Sequence, residues 1–318
     1  MLNRREFVAG AAAVFAVGCA SEPKASAPEP AASSNIRYAY SGFPWQEDIE
    51  EAIRKSAEWG FHGVEPFRSH IMRHLADPAA LKARFDEAGI AMVTCSNGGP
   101  DMTIDFIDPA QTAQTIEDHF AFARDFVSHF GCKHFKFNMG RRPEAPTTDE
   151  QLQTMATTLN ELGKRTADIG IRIAPHPHIW SPLERESEVE RMLELTDPDY
   201  VSIVADTAHL NLGGMDPVRI VRDHFDRVEA LHFKDTEAKY RGFTGETPTR
   251  ELHQEVNLYK ILGAGGVDFP AIHETLTERG FEGWITMDFD PPRAWEGTID
   301  DQMAANKGYL EETLGIEL

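Results

Sequence analysis

Short apolar runs alternate with helix-length amphipathic segments along most of this chain. Eight runs have the strand length and apolar character of a parallel sheet buried on both faces: 36–40, 62–66, 90–95, 133–138, 171–175, 201–206, 228–233 and 284–289. Helical patterns follow them at 47–59, 78–88, 109–130, 148–169, 184–196, 216–224, 268–279 and 299–314. Eight strands alternating with eight helices predict an α/β fold, a single-domain (β/α)8 TIM barrel over residues 36–318.

Helix-boundary residues support this alternation. Three Asp-Pro pairs place an N-cap acceptor before a proline suited to the first helical turn, and they begin at Asp77, Asp108 and Asp216. Two capping boxes are predicted, at Thr148/Gln151 and at Ser187/Glu190. Five glycines stand between a helical pattern and the next strand, where a left-handed turn would end the helix: Gly60, Gly89, Gly131, Gly170 and Gly280.

The longest segment without a regular pattern is 235–268, which follows the seventh strand. In a TIM barrel the loops after the strands form the face that carries the active site. Loops of this length are usually functional. We therefore predict that residues 235–268, called the lid below, cover a substrate.

The first 35 residues do not fit the barrel pattern. Asn3-Arg4-Arg5-Glu6-Phe7-Val8 and the small apolar run 9–18 resemble a twin-arginine export signal, here residues 1–18. Cys19 follows at a lipoprotein-type cleavage site, and 19–35 has the composition of a flexible tether. We expect a periplasmic protein whose membrane contact is a lipid anchor at Cys19; plain cleavage and an uncleaved anchor remain open.

Charge and cysteine content narrow the classes of partner. The net charge of −21 argues against nucleic acid, because the phosphate backbone would repel the protein. Apart from Cys19, the cysteines are Cys95 and Cys132. They fall at opposite ends of neighbouring predicted strands, so we expect no disulfide between them.

Metal-ligating residue types stand at the ends of the last four strands: His176, His178, Asp206, His232 and Asp288. The carboxyl ends of barrel strands converge on one face, so these side chains should surround one point. A mixed set of imidazoles and carboxylates suits Mn²⁺, Co²⁺, Fe²⁺ or Zn²⁺ better than Mg²⁺ or Ca²⁺. The choice between His176 and His178 stays open, because the neighbouring prolines interrupt the strand.

Two further residues could transfer protons. Lys234 shares the strand face of His232, which makes it an acid/base candidate unless Asp235 pairs with it. Glu65 ends the second strand and could act as a base or bind a sugar hydroxyl. A salt bridge from Glu65 to Arg68 is the structural alternative.

Four more residues are candidates for contact with the substrate. Lys136 and Asn138 end the fourth strand, His209 follows Asp206 by three residues, and Glu255 lies in the lid. No glycine-rich phosphate loop is visible, which favours an unphosphorylated substrate.

The segment 205–217, ADTAHLNLGGMDP, together with LHFKD at 231–235, resembles the xylose isomerase-like barrel family. That family includes sugar isomerases, sugar epimerases and inosose dehydratase. His176-Pro177-His178, followed by Glu184 and Glu188, is most similar to the dehydratase branch. The resemblance implies one divalent metal, most simply Mn²⁺ or Co²⁺, held by four residues: His176, Asp206, His232 and Asp288.

Two of these implied ligands depart from the common family pattern. The family usually has glutamate at the positions of His176 and Asp288, and in its epimerases those glutamates shuttle the proton. We therefore expect enediolate chemistry on a keto-sugar, keto-glycoside or cyclitol ketone that ends in elimination, by a lyase or dehydratase. An isomerase or epimerase is the alternative, and a non-catalytic sugar-binding lipoprotein is the second. The oligomeric state stays open, a homo-oligomer included.

Overall fold

The computed structural model describes residues 35–98, 105–289 and 297–318, all within one compact unit. The strands are β1 (Asn35–Ser41), β2 (Gly63–Glu65), β3 (Ala91–Met92), β4 (His134–Phe137), β5 (Arg172–Pro175), β6 (Ile203–Asp206), β7 (Val228–Phe233), β8 (Asp235–Thr236), β9 (Tyr259–Lys260) and β10 (Glu282–Met287). The helices are α1 (Ile49–Glu58), α2 (Pro78–Ala88), α3 (Thr112–Asp125), α4 (Asp149–Ala167), α5 (Glu186–Leu195), α6 (Thr207–Leu212), α7 (Pro217–Asp223), α8 (Arg250–Val256), α9 (Phe269–Glu278) and α10 (Ile299–Leu314). The predicted signal, Cys19 and nearly all of the tether lie outside the described residues.

Eight parallel strands form the barrel that the pattern predicted. Six pair in the order β3-β2-β1-β10-β7-β6, and β4 pairs with β5. A parallel bridge from Ile173 to Val201 joins β5 to the residues that lead into β6. The last barrel strand, β10, therefore lies between β1 and β7, and the predicted TIM barrel is confirmed.

Alternate residues of the strands fill the barrel interior. Trp284 packs there against small or β-branched side chains from five other strand segments: Ala39, Val93, Ala174, Val204 and Ala230. The three alanines leave space for one indole, and the Arg37 guanidinium lies 4.0 Å from its ring centroid. Residues of the opposite parity, such as Tyr40, pack outward with helix residues such as Ile53. This alternation places the last inward residue of each strand on the predicted functional face.

A side chain joins β3 to β4 where the main-chain ladder is absent between the described strands. The Thr94 hydroxyl donates to the His134 carbonyl at 2.9 Å and accepts from the Lys136 amide at 3.2 Å. The Asn97 amide then donates to the Lys136 carbonyl at 3.3 Å. Thr94 is fully buried, so these bonds satisfy backbone groups that water cannot reach.

Most predicted helix boundaries agree with the structure. Asp77 and Asp216 cap α2 and α7, Thr148 and Gln151 form the capping box of α4, and the five junction glycines have φ between 65° and 85°. Two predictions were wrong. Asp108 caps a turn through the Ala110 amide, and α3 begins only at Thr112. The N-cap of α5 is Arg185, whose amide donates to the Glu188 carboxylate at 2.8 Å, so the predicted pair Ser187/Glu190 does not cap this helix.

The lid contains regular structure that its sequence did not reveal. Strands β8 and β9 pair antiparallel, and helix α8 belongs to the stretch of chain that connects them. Two-residue strands are too short to produce an alternating pattern, which is why the segment looked irregular. The six-residue helix α6 was missed for the same reason.

The described cysteines agree with the prediction, since Cys95 and Cys132 are buried and neither forms a disulfide. Across 35–98, 105–289 and 297–318, we find no helix with both the length and the apolar character needed to span a bilayer.

We expect Thr94→Val to lower the free energy of unfolding by about 1–3 kcal/mol, because it leaves buried backbone groups of β4 without their partner. Denaturant unfolding measures this. The control is Thr157→Val, which removes a hydroxyl that donates to Gln153 on the exposed face of α4. A Thr94 variant no less stable than the control would contradict a role in closing the barrel.

Candidate active site

Six polar side chains from six strand ends meet inside the carboxyl end of the barrel. They are buried and follow the inward parity of their strands: Glu65, Lys136, His176, Asp206, His232 and Asp288. The register aligns them in one layer, since Asp206 pairs with His232 and His232 with Thr286. Ionisable groups are rarely buried unless they are paired or bind a ligand, so this layer is the candidate functional site.

Asp206 lies at the centre of the cluster and uses its two oxygens differently. Its Oδ1 accepts from the His209 amide at 2.9 Å and so caps α6. Its Oδ2 lies 3.5 Å from His232 Nδ1, 3.6 Å from His176 Nε2 and 3.9 Å from His209 Nε2. Capping of α6 and the contact with the imidazoles thus belong to different atoms of one carboxylate.

The atoms facing this point lack hydrogen-bond partners among the described residues. They are Nε2 of His176, Oδ2 of Asp206 and Nδ1 of His232, and Nδ1 of His176 has no partner among these residues either. Atoms that share one cation at about 2.0–2.2 Å lie roughly 3–4 Å from each other, which matches the separations here. Two overlapping groups have ligand atoms within 4.8 Å of one another: His176, Asp206 and His209, and Asp206, His232 and Asp288. A divalent cation therefore fits the residues present.

Glu65 orients His232 toward this point. Its Oε2 accepts from His232 Nε2 at 2.9 Å, its Oε1 accepts from Lys136 Nζ at 2.9 Å, and Thr286 Oγ1 lies 3.3 Å from Oε2. With Nε2 engaged, Nδ1 of His232 faces Asp206 and also lies 3.5 Å from Asp288 Oδ2. A carboxylate behind a ligating imidazole is a common support of metal sites.

The pKa values of this pair reflect the surrounding charges. Burial alone would raise the pKa of Glu65, but the charges of His232 and Lys136 outweigh it and lower the pKa. Burial alone would lower the pKa of His232, but Glu65, Asp206 and Asp288 raise it to about 10. Carboxylates that attract a proton to this extent would attract a divalent cation at the same place.

Two more histidines form the wall beside Asp206. The rings of His178 and His209 lie 3.5 Å apart, and His178 Nδ1 contacts the Ile179 carbonyl. A carbonyl can only accept, so Nδ1 carries the hydrogen and Nε2 of His178 keeps its lone pair. Burial and the nearby His176 hold the pKa of His178 well below its usual range, and burial likewise lowers that of His209. Both rings are therefore neutral at pH 7.

Lys234 extends into the same site. Its Nζ lies 3.2 Å from Asp288 Oδ2 and 3.9 Å from the centroid of the Tyr259 ring. Burial alone would raise the pKa of Asp288, but Lys234, His232 and Lys136 together outweigh burial and keep that pKa well below its usual range. Asp235, the partner that the sequence offered for Lys234, accepts from the backbone amides of Gly265 and Val267.

The remaining sequence candidates lie in different surroundings. Lys136 contacts Glu65, and Asn138 Nδ2 donates to Ser96 Oγ at 3.1 Å. Glu255 is exposed on α8, unlike the buried residues of the cluster. The alternative salt bridge from Glu65 to Arg68 was wrong, since Arg68 pairs with Asp118 at 2.6 Å.

Tyr259 and Thr286 are site residues that sequence reasoning missed. Tyr259 Oη lies 3.2 Å from His209 Nδ1, and Thr286 contacts Glu65. Thr286 sits inside β10 with inward parity, so the strand pattern could have indicated it. Tyr259 lies in the lid, where its neighbours carry no periodic signal.

Comparison with known proteins places this geometry in a family. The model of the xylose isomerase-like TIM barrel matches residues 53–309. The chain belongs to this family. An inosose dehydratase of Lacticaseibacillus casei is 32% identical over 170 residues, which cover 53% of this chain and 57% of that protein. The resemblance to the inosose dehydratase branch is thereby confirmed, over a little more than half the length of that relative.

Solved structures share the fold. A probable 3-DHS dehydratase from Bacillus anthracis superposes with a TM-score of 0.65 at 15% identity, covering 86% of this chain and 98% of that one. An IOLI protein with a bound zinc atom has a TM-score of 0.66 at 14% identity, covering 87% and 97% respectively. At these identities the structures establish the fold of this family member and nothing finer.

We expect Glu65→Gln to weaken binding of one divalent cation by about 10–100-fold, because the amide no longer fixes His232 with Nδ1 toward Asp206. Titration with Co²⁺ or Mn²⁺ measures the affinity. The control is Asp118→Asn, which removes a carboxylate partner of Arg68 outside the site. Equal affinities in the two variants would show that Glu65 does not support the ligand set.

Proposed function

We propose that this protein is a divalent-metal-dependent dehydratase that eliminates water from an unphosphorylated keto-cyclitol, keto-sugar or keto-glycoside. The observation that carries the proposal is the set of unpartnered buried atoms of His176, Asp206 and His232 beside two neutral imidazoles and an ammonium. The relatives named inosose dehydratase support the reaction and the cyclitol ketone as substrate. The named activity of a structural neighbour, 3-DHS dehydratase, is also an elimination.

The proposed ligands are His176, Asp206, His232 and Asp288. His176 is preferred over His178 because its Nε2 faces Asp206 Oδ2, whereas His178 Nδ1 contacts the Ile179 carbonyl. The cation would be Mn²⁺ or Co²⁺, with Fe²⁺ or Zn²⁺ as alternatives for this mixture of nitrogen and oxygen ligands. Its chemistry would be to polarise the substrate carbonyl and stabilise negative charge that develops on that oxygen.

His178 is the proposed base. Its Nε2 keeps its lone pair, and the ring is neutral at pH 7, so it can accept the proton from the carbon beside the carbonyl. The side chain is only half-buried, unlike His176, which gives a substrate access to it. The two electrons of the broken C–H bond form the enediolate.

Lys234 is the proposed acid. Its ammonium donates a proton to the hydroxyl on the next carbon as the C–O bond breaks, and that group leaves as water. Asp288, at 3.2 Å from Nζ, favours the protonated form of Lys234 that this step requires. An imidazole base and an ammonium acid suit elimination, whereas epimerisation is served in this family by a pair of carboxylates.

Glu65 and Lys136 receive different roles from those expected from the sequence. Both oxygens of Glu65 accept hydrogen bonds from His232 and Lys136, so neither is available to take a proton from a substrate. We assign Glu65 to orienting His232 and Lys136 to neutralising Glu65. Contacts of His209, Asn138 and Glu255 with the substrate stay predictions, as do twin-arginine export and a lipid anchor at Cys19.

The experiment that tests the function is incubation of metal-loaded protein with a panel of inososes and oxidised glycosides. We expect enone absorbance to appear with at least one ketone and to disappear after chelation. Isomer formation without an enone would instead identify an isomerase or epimerase. Failure to exchange solvent deuterium into any bound ketone would indicate a sugar-binding protein.

We expect His178→Asn to lower kcat by about 10²–10⁴-fold while leaving bound metal unchanged, because it removes the base but none of the proposed ligands. Steady-state kinetics and metal analysis of the same preparation measure both quantities. The matched control is His129→Asn, which changes an exposed histidine far along the chain from the site. A His178 variant that keeps the activity of the control would remove His178 from the mechanism.

A further inference from the structure

The lid brings one aromatic side chain into the buried site. Thr236 in β8 pairs with Tyr259 in β9, which places Tyr259 beside the chain just beyond Lys234. The ring of Tyr259 is buried, with 2% of its surface exposed. It contacts two residues of the site through different parts of the side chain: the hydroxyl lies near His209 and the ring face near Lys234.

The base of the lid fixes the position of Tyr259. The buried Asp235 carboxylate accepts from the Gly265 amide at 3.1 Å and the Val267 amide at 3.0 Å, which joins the two ends of the lid. The Asn211 side chain donates to Thr236 Oγ1 at 2.9 Å and ties β8 to α6. At Gly266 a Cβ atom would lie 1.9 Å from Thr236 Oγ1, so the two ends pack without space for a side chain.

The hydroxyl of Tyr259 sets the direction of the His209 ring. Tyr259 Oη lies 3.2 Å from His209 Nδ1, which directs Nε2 into the site at 3.9 Å from Asp206 Oδ2. That distance is too long for a hydrogen bond but suits two atoms that contact one ligand. The His178 ring lies against His209 with 3.5 Å between the ring centroids, so a change in the orientation of His209 would also displace His178.

The ring of Tyr259 limits where the Lys234 ammonium can lie. Nζ is held between the ring centroid at 3.9 Å and Asp288 Oδ2 at 3.2 Å. A cation over an aromatic face in a desolvated site is attracted by the ring as well as confined by it. The same side chain therefore touches the proposed acid and the histidine next to the proposed base.

We propose that Tyr259 is a positioning residue through which the lid sets the geometry of the site: its hydroxyl orients His209 and its ring holds Lys234. The inference rests on the proposed function for its kinetic consequences. The orientation of His209 by Tyr259 does not depend on the proposed function, because it can be observed in the protein with a bound probe ion and no substrate.

Two substitutions separate the hydroxyl from the ring. Tyr259→Phe keeps the ring over Lys234 and removes the partner of His209, whereas Tyr259→Leu removes both. We expect Tyr259→Phe to change the visible absorption spectrum of the Co²⁺-loaded protein and to weaken Co²⁺ binding about tenfold. Its kcat should fall about 10–100-fold with KM nearly unchanged, since the groups are misplaced rather than lost. Tyr259→Leu should lose about tenfold more in kcat.

The matched control is Tyr240→Phe, the same change at another buried tyrosine of the lid, packed against Phe243. It should leave the Co²⁺ spectrum, the Co²⁺ affinity and kcat at wild-type values. A Tyr259→Phe variant indistinguishable from this control in both spectrum and kcat would overturn the inference. If Tyr259→Leu does not fold, the comparison of Tyr259→Phe with Tyr240→Phe is sufficient to test the inference.

The readouts also separate this inference from the proposed function. A wild-type protein that binds Co²⁺ but converts no ketone contradicts the proposed dehydratase, while the spectra of the two phenylalanine variants still decide whether Tyr259 orients His209. An active wild-type protein with an unchanged Tyr259→Phe variant contradicts only the role of Tyr259.

Discussion

The Asp206 carboxylate is the group on which the rest of the site depends. One oxygen ends β6 and begins α6 by capping the His209 amide, which fixes the carboxylate against the backbone. The other oxygen is then held among three imidazoles at 3.5–3.9 Å with no hydrogen-bond partner among the described residues. A buried carboxylate oxygen left in this state is costly unless a cation meets it. The local fold thus leaves a buried carboxylate oxygen whose charge a bound cation would neutralise.

Counted over the described residues, the buried charges of the site layer and Lys234 leave a deficit of one positive charge. The cluster has three carboxylates, Glu65, Asp206 and Asp288, against the two ammonium groups of Lys136 and Lys234. This deficit explains the raised pKa of His232, since a proton on the His232 ring makes the cluster neutral. A divalent cation in place of that proton would leave one positive charge, which would favour an anionic oxygen in a bound ligand.

The packing of the barrel explains how so many charges can share one layer. Beneath them, alanines and a single tryptophan fill the interior and keep water out from below. Above them, the lid and the 178–184 segment meet: Trp180 Nε1 donates to the Pro248 carbonyl, and Thr247 donates to the buried Glu184. The low dielectric that results strengthens each electrostatic contact inside the layer.

The sequence by itself determined the barrel and the identity of most groups in the site. Strand parity and the convergence of strand ends are local rules with a fixed geometric result, so they sufficed to bring together residues as distant as His176 and Asp288. Helix ends could also be predicted from the sequence wherever a single residue, such as Asp77 or Gly89, sets the boundary.

Only the tertiary structure decided which atoms face one another. Glu65 was available as a base until the fold gave it Lys136 and His232, 71 and 167 residues away in sequence, as partners. Tyr259 and the two-residue strands of the lid left no pattern, because their positions come from contacts across the chain. A periodic signal needs several neighbouring residues in one environment, whereas a partner depends on distances that exist only after folding.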